Sequence, residues 1–203
     1  MDPRTWLLLG SVSNVLALFV FPALGGVYTD PFDESGRMRP ISFAFQFRVF
    51  WVALLLSVCG PSTLLAYIAV LESARVRGGV LVAARMLTWL LVLSSLSLFA
   101  SDMATSLHEC SAAFFVGSGL ALHVLTASYV VYDKVFVAVV CVYFVCSVVF
   151  VYLTSTRSVG VSEYNLFVLS EYCVGLCMGG GNARLFYVVY SRIKGGVSTS
   201  DVY

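Results

Sequence analysis

The chain has few charged residues for its length. Of its 203 residues only 11% are charged, whereas soluble globular domains carry about a quarter. The mean hydropathy is +0.93 and 60% of the residues are hydrophobic, which excludes a water-soluble globule. The 12 Lys and Arg nearly balance the 11 Asp and Glu, so no excess of positive charge is present that could bind nucleic acid. The composition predicts a protein of the lipid bilayer.

The sequence also lacks the short motifs of the common catalytic sites. There is no G-x-S-x-G elbow, no H-E-x-x-H zinc helix and no P-loop. The N-x-[ST] sequon is absent as well, because none of the three asparagines is followed two places on by Ser or Thr. We therefore expect no enzymatic activity, no cofactor, no metal and no N-glycosylation.

Long apolar runs fill most of the chain. A helix needs about 20 apolar residues to cross the hydrocarbon of a bilayer. A strand of a transmembrane barrel alternates lipid-facing apolar residues with polar residues. Runs such as residues 135–153 are apolar at both the odd and the even positions, which favours helices. The sequence predicts an all-α, single-domain bundle of six transmembrane helices, with spans at about 6–27, 50–71, 80–101, 110–132, 135–153 and 164–190. Residues 28–49 are expected to form a lumenal loop and residues 191–203 a cytosolic tail.

Basic residues are divided unevenly between the two ends of these spans. Eight of the twelve fall at the end that carries both termini: Arg4, Arg75, Arg77, Arg85, Lys134, Arg184, Arg192 and Lys194. Cytosolic ends are richer in Lys and Arg, so both termini are expected in the cytosol. In another interpretation the first span is a cleaved signal sequence, because the stretch that ends in Ala23-Leu24-Gly25 has small residues at the positions that a signal peptidase prefers. Removal of the first span would leave five spans in the same orientation.

Four ionisable residues near the lumenal ends of the spans form the predicted site. A charge in hydrocarbon costs at least about 2.5 kcal/mol on insertion scales, so an ionisable residue within a span is expected to have a structural or functional role. Glu171 is expected one to two turns inside the sixth span. His108 and Glu109 mark the entrance of the fourth span, and Asp102 lies across a short turn at the end of the third.

These four residues are predicted to form a lumenal polar network. One interpretation is a satisfied interhelical network that fixes helix packing. The others are a proton-sensitive switch, an ion path or a lipid-headgroup site, since a histidine titrates near the acidic pH of some lumenal compartments.

Other residues within the spans are expected to serve packing. His123 lies about 22 Å from His108 along one helix, too far to share a metal or a proton, and is expected to hydrogen-bond to a neighbouring helix. Gly179–Gly181 either allow a close helix crossing or break the last helix. The six cysteines are expected to pack as small hydrophobes, with a disulfide between Cys110 and Cys173 as the alternative.

Two short segments resemble a known family. His108-Glu-Cys-Ser-Ala112-Ala-Phe114-Phe115-Val-Gly117 is similar to the H-x-x-G-A-x-x-x-F-x-x-G-type segment of the DRAM family of six-span membrane proteins. Ser170-Glu171-Tyr172 resembles that family's Ser-Glu-aromatic segment. The chain departs from the family at Ser111, where Gly is usual, and at Ser101-Asp102-Met103, where the family has Asn-Phe-Gln.

The resemblance implies a function through partners rather than catalysis. The family comprises damage-regulated autophagy modulators, with relatives in GPI-anchor maturation and phosphoinositide control. It implies a non-enzymatic protein of lysosomal, endosomal or Golgi membranes, with the plasma membrane as another location and with membrane lipids and other membrane proteins as partners. The alternative function is a small transporter or ion channel in which Glu171, Asp102 and His108 line the path.

Overall fold

Six helices make up nearly all of the described chain. The computed structural model describes residues 2–24, 30–40, 49–74, 76–100, 106–156 and 160–195. Its helices are α1 (Pro3–Leu24), α2 (Val49–Ser73), α3 (Gly78–Ala100), α4 (Ser106–Tyr129), α5 (Lys134–Thr156) and α6 (Val161–Lys194). In these ranges the only extended pairing is an isolated bridge between Phe32 and Met38. The predicted all-α fold is confirmed.

Four of the helices are long and apolar enough to cross a membrane. Their candidate spans are Pro3–Val20, Gly78–Leu98, Ser106–Tyr129 and Lys134–Ser155, in α1, α3, α4 and α5. The mean hydropathy of these windows ranges from 1.3 to 2.8. These helices support an integral membrane protein, as the composition predicts.

The helices extend beyond several of the predicted spans. Helix α4 begins at Ser106 rather than at residue 110, so His108 and Glu109 lie inside its first turn. Helix α6 has 34 residues and is therefore about 50 Å long, more than the roughly 30 Å of hydrocarbon in a bilayer. Residues 25–27 and 101, which end the first and third predicted spans, lie outside the described residues.

Helix α6 is the element on which the bundle is assembled. It packs extensively against α1 and α5 and also touches α2 and α4. Helices α1 and α2 form one closely packed pair and α3 and α4 another. Ser97 and Ser111 join the second pair through their hydroxyls, 2.8 Å apart. Consecutive helices run antiparallel, so the bundle has a hairpin end, which carries residues 30–40, and a terminal end, at which α1 begins and α6 ends.

Large apolar side chains cover the outside of the bundle. On α1 the exposed face carries Leu8, Val12, Leu16 and Phe19, and on α3 it carries Val82, Met86, Trp89, Leu93 and Leu96. These spacings of three and four residues place each set on one helix face. Contiguous apolar surface of this extent is a property of proteins that contact lipid or a partner rather than water.

Glycines allow α1, α2, α4 and α6 to approach closely. A Cβ on Gly10 would lie 2.6 Å from the Cβ of Ala66, and a Cβ on Gly179 would lie 2.7 Å from the Leu18 side chain. A Cβ on Gly181 would lie 2.7 Å from the imidazole of His123. Helix α6 continues through Gly179, Gly180 and Gly181 without a break. Of the two interpretations of this triplet, the close crossing is the one observed.

The cysteines are free thiols, so the disulfide between Cys110 and Cys173 is not formed. Cys146 and Cys177 pack against the hydrophobic core between α5 and α6. The thiol of Cys146 lies near those of Cys173 and Cys177. The expectation that these residues serve packing is confirmed at these positions.

We expect Gly10→Ala to lower the free energy of unfolding by about 1–3 kcal/mol, because the added methyl overlaps the Cβ of Ala66 on α2. Thermal unfolding of the purified chain in detergent measures the change. Gly180→Ala is the matched control, since nothing lies within 4 Å of the position of its Cβ. Equal stability of the two variants would contradict the close contact of α1 and α2.

Candidate functional site

The four residues of the predicted lumenal network lie at different depths. His108 is half-buried and Glu109 is exposed, both in the first turn of α4. Glu171 is half-buried on α6, eleven residues into that helix. Asp102 lies outside the described residues.

The register between α4 and α6 fixes the relative depths of His108 and Glu171. His123 contacts Asn182, and Gly119 contacts Met178, so the two helices run parallel and in step. At 1.5 Å per residue, His108 lies about 22 Å and Glu171 about 16 Å from the level of that contact. Glu171 is therefore about one helical turn deeper than His108. A direct network of the predicted residues stays a prediction.

A small hairpin of residues 30–40 covers the hairpin end of α6. Within it Asp33 N–H donates to Arg37 O at 2.8 Å, and Arg39 N–H donates to Pro31 O at 3.0 Å. Gly36 takes a φ of +78°, which favours glycine at the turn. The Ser35 hydroxyl and the Arg37 N–H donate to the Asp33 carboxylate and hold the pKa of that carboxyl below its usual value.

The hairpin is fastened to α6 by its backbone. Met38 N–H donates to Asn165 Oδ1 at 2.7 Å, and Asn165 Nδ2 donates to Gly36 O at 3.2 Å. The Tyr172 hydroxyl donates to Arg39 O at 2.9 Å. Because Tyr172 follows Glu171 directly, the hairpin is held beside the carboxylate that the sequence singled out.

A buried polar network joins α1, α2, α4 and α6 in the core of the bundle. Its centre is Asn182, which is 4% exposed. The amide oxygen of Asn182 accepts from the Tyr67 hydroxyl and from His123 Nε2, the latter at 2.8 Å. Its Nδ2 donates to Asn14 Oδ1 at 3.1 Å, and Asn14 Nδ2 donates to Thr63 Oγ1 at 2.8 Å. The predicted hydrogen bond of His123 to a neighbouring helix is confirmed.

The direction of each hydrogen bond in this network follows from one carbonyl. Gly10 O can only accept, so the atom of Asn14 that lies 2.8 Å from it is the amide nitrogen. The Asn14 oxygen must then accept from the Asn182 nitrogen, which leaves the Asn182 oxygen as an acceptor. His123 therefore carries its proton on Nε2. Its Nδ1 has no hydrogen-bond partner among the described residues and packs against Gly181.

Aromatic rings fill the space around His123. The imidazole meets the ring of Phe136 edge to face at 5.5 Å between centroids and the ring of Tyr143 at 5.6 Å. Tyr67 packs in the same way on Phe186, at 5.0 Å. All four aromatic side chains are nearly or fully buried. The described side chains around His123 are therefore closely packed.

An ion pair between α6 and the start of α5 lies at the terminal end of the bundle. Arg184 on α6 donates from Nε to Asp133 Oδ1 at 3.0 Å and from Nη2 to Oδ2 at 2.9 Å. Asp133 also accepts from Phe136 N–H at 2.9 Å and so caps the start of α5. The hydrogen bond from Arg184 is the main cause that lowers the pKa of the Asp133 carboxyl.

These contacts are less predictable from the sequence than the spans are. Asn14 and Asn182 are amides within apolar runs, which predicts a hydrogen-bonding partner for each but not their pairing across 168 residues. Asp133 and Arg184 appear in the sequence as separate charges near span ends. Only the fold brings each pair together.

Among the described residues no group of three or more His, Cys, Asp or Glu could hold a metal ion. No protein-family model, no curated protein and no solved structure matches the chain.

We expect Asn182→Ala to lower the free energy of unfolding by about 2 kcal/mol, since three interhelical hydrogen bonds are lost at about 0.6 kcal/mol each. The measurement is unfolding of the purified chain in detergent. Ser155→Ala is the control, because that exposed hydroxyl donates to Val151 O of its own helix. Asn14 and Asn182 share a hydrogen bond. Asn14→Ala should therefore lower the free energy of unfolding less in the Asn182→Ala background than in the parent chain. If the effects of the two substitutions were strictly additive, the network would be contradicted.

The stability from the Asp133–Arg184 pair should depend on pH. The folded state lowers the pKa of Asp133 below its ordinary value of 3.8, so the contribution is present above that value and is lost as the pH falls through the lower folded value. Asp133→Asn keeps a helix cap and removes the charge. We expect it to lower the melting temperature at about pH 7, with the difference from the parent chain shrinking below about pH 4. A pH-independent difference would refute the ion pair.

Proposed function

We propose that the chain is a non-enzymatic, six-span protein of endomembranes that modulates autophagy or lysosomal behaviour through membrane partners, as the DRAM-like segments imply. Both termini lie in the cytosol and the hairpin end lies in the lumen. Two features of the described residues support this proposal, an ordered lumenal surface and a closed core.

The hairpin of residues 30–40 is the observation that carries the proposal. Its backbone is fixed to α6, while Phe32, Asp33 and Glu34 are exposed. Phe32 is 47% exposed, although it is a large apolar side chain. An ordered loop that exposes one aromatic and two acidic side chains can bind a partner without a further loss of loop conformational entropy. It lies next to Tyr172 in the Ser-Glu-aromatic segment.

The charge distribution supports the orientation. At the terminal end the described residues include Arg4, Arg77, Arg85, Lys134, Arg184, Arg192 and Lys194, whereas the hairpin end includes Arg37 and Arg39. Helices α2 and α6, with 25 and 34 residues, are also long enough to cross the hydrocarbon, which supports six spans.

The packed core favours a modulator over a transporter. A permeation route from Glu171 towards the terminal end would have to pass the level of His123, where the rings of Phe136 and Tyr143 pack against the imidazole. At the same level the buried side chains of Asn14, Tyr67 and His123 are hydrogen-bonded to Asn182.

Expression with a C-terminal tag tests location and topology together. We expect the tag on lysosomal or Golgi membranes, accessible to antibody when only the plasma membrane is permeabilised. A lumenal tag would overturn the topology. A cytosolic tag confined to the plasma membrane would overturn the endomembrane location.

Glu171→Gln tests the role of the predicted lumenal site. In cells that depend on the chain, we expect this variant to change the rate of lysosomal degradation of autophagosome membranes while leaving abundance and location unchanged. Glu163→Gln is the control, because Glu163 is an exposed carboxylate on the same helix. Proton or ion flux into liposomes that disappears in Glu171→Ala would instead establish the transporter function.

A further inference from the structure

A cavity opens between α2 and α3 at the terminal end of the bundle. Its volume is about 200 Å³. The walls come from the last turns of α2, the connection after it and the first turns of α3: Ile68, Leu71, Glu72, Val76, Arg77, Leu81 and Arg85. The cavity is thus apolar on the side of the bundle and basic towards its rim. None of these residues belongs to the hairpin or to the Asn182 network.

Arg85 is a charge inside an apolar span. It lies about 10 Å from the start of α3 and within the window Gly78–Leu98 that is apolar enough to cross a membrane. Charged groups at such positions are costly unless they find a partner or reach the interface. Among the described residues Arg85 forms no ion pair, and Glu72 in the same cavity is not within salt-bridge distance of it. Arg85 is exposed, so its guanidinium is accessible to an anion.

Arg77 supplies a second cation at the same rim. It is exposed, lies one residue before α3 and has no ion-pair partner among the described residues. The two arginines and Glu72 leave the cavity with a net charge of +1, since two positive charges face one negative charge. The first turn of α3 carries no acidic residue. Its free backbone N–H groups add to the attraction for an anion.

The shape and chemistry of the cavity fit one kind of molecule. A phosphate would contact the arginines at the rim, and an acyl chain would lie on the apolar side chains below. The face of α3 that carries Leu81 and Arg85 continues to Trp89, which is 58% exposed. Trp89 lies about 6 Å further into the bilayer than Arg85. We propose that this cavity binds the headgroup of an anionic phospholipid, with Arg77 and Arg85 holding its phosphate and the acyl chain passing Trp89.

The position of Trp89 provides a direct test. The chain has three tryptophans, so Trp6→Phe and Trp51→Phe leave Trp89 as the only fluorophore. The full chain is placed in phosphatidylcholine vesicles that contain a minor fraction of a lipid with brominated acyl chains, which quench tryptophan on contact. Brominated phosphatidylserine should quench Trp89 more strongly than brominated phosphatidylcholine at the same fraction. Equal quenching by the two lipids would overturn the proposal.

Neutralising variants show whether the arginines cause the preference. Arg77→Gln and Arg85→Gln should each weaken the relative association of phosphatidylserine about fivefold, the effect of one basic residue near an anionic membrane surface. Arg85→Lys keeps the charge and should keep most of the preference. Lys134→Gln is the control, because it removes one exposed positive charge from the same end of the bundle at a helix outside the cavity. An equal loss with Lys134→Gln would show a general surface potential and overturn the site.

Two further measurements complete the test. If the glutamine variants do not fold, Leu81→Phe fills the cavity without changing charge and should lower the quenching by phosphatidylserine while leaving that by phosphatidylcholine unchanged; unchanged quenching by both lipids would overturn the proposal. Inorganic phosphate added to the vesicles should not displace the lipid. Displacement by phosphate alone would assign the arginines to a free anion instead. The outcome depends on α3 lying in the bilayer and is independent of any role in autophagy.

Discussion

The amide of Asn182 holds the bundle together at its centre. In an apolar core an amide must satisfy its hydrogen bonds within the protein, because no water is present to do so. Asn182 does this with Asn14, Tyr67 and His123, which come from three other helices. If any of these helices moved along its axis by one residue, a hydrogen-bond donor would be separated from its acceptor. The network therefore specifies which faces meet and at what depth, whereas apolar packing alone would accept several arrangements.

The glycines make this geometry possible. Gly181 precedes Asn182, and its missing side chain leaves the space that the imidazole of His123 occupies. Gly10 does the same between α1 and α2, where Asn14 approaches Thr63 one turn further on. In both places a polar residue lies near a glycine in the same helix. The first supplies the directional bond, and the second allows the backbones to come near enough for that bond to form.

The fold could be predicted from the sequence further than the site could. Helices follow from apolar runs, because a backbone in lipid must satisfy its own hydrogen bonds. The bond of His123 to another helix and the close packing of Gly179–Gly181 follow from the cost of a polar group in hydrocarbon and from small-residue packing. The partners do not follow, since Asn14 and Asn182 lie 168 residues apart. The hairpin contacts Asn165 and Tyr172 on α6. These contacts also depend on the position of α6 in the bundle, which a local sequence pattern does not predict.

The pairing of the first and last helices has a consequence for synthesis. Helix α1 is synthesised before the other five described helices, with Asn14 inside an apolar run, and its partner Asn182 lies on α6, which is synthesised after them. Until α6 arrives, Asn14, Tyr67 and His123 lack the amide that they share. A ribosome that stalls after α5 would leave three polar side chains facing lipid or other proteins. In such a chain the core of the bundle would contain polar groups without the hydrogen bonds that Asn182 supplies when α6 is present.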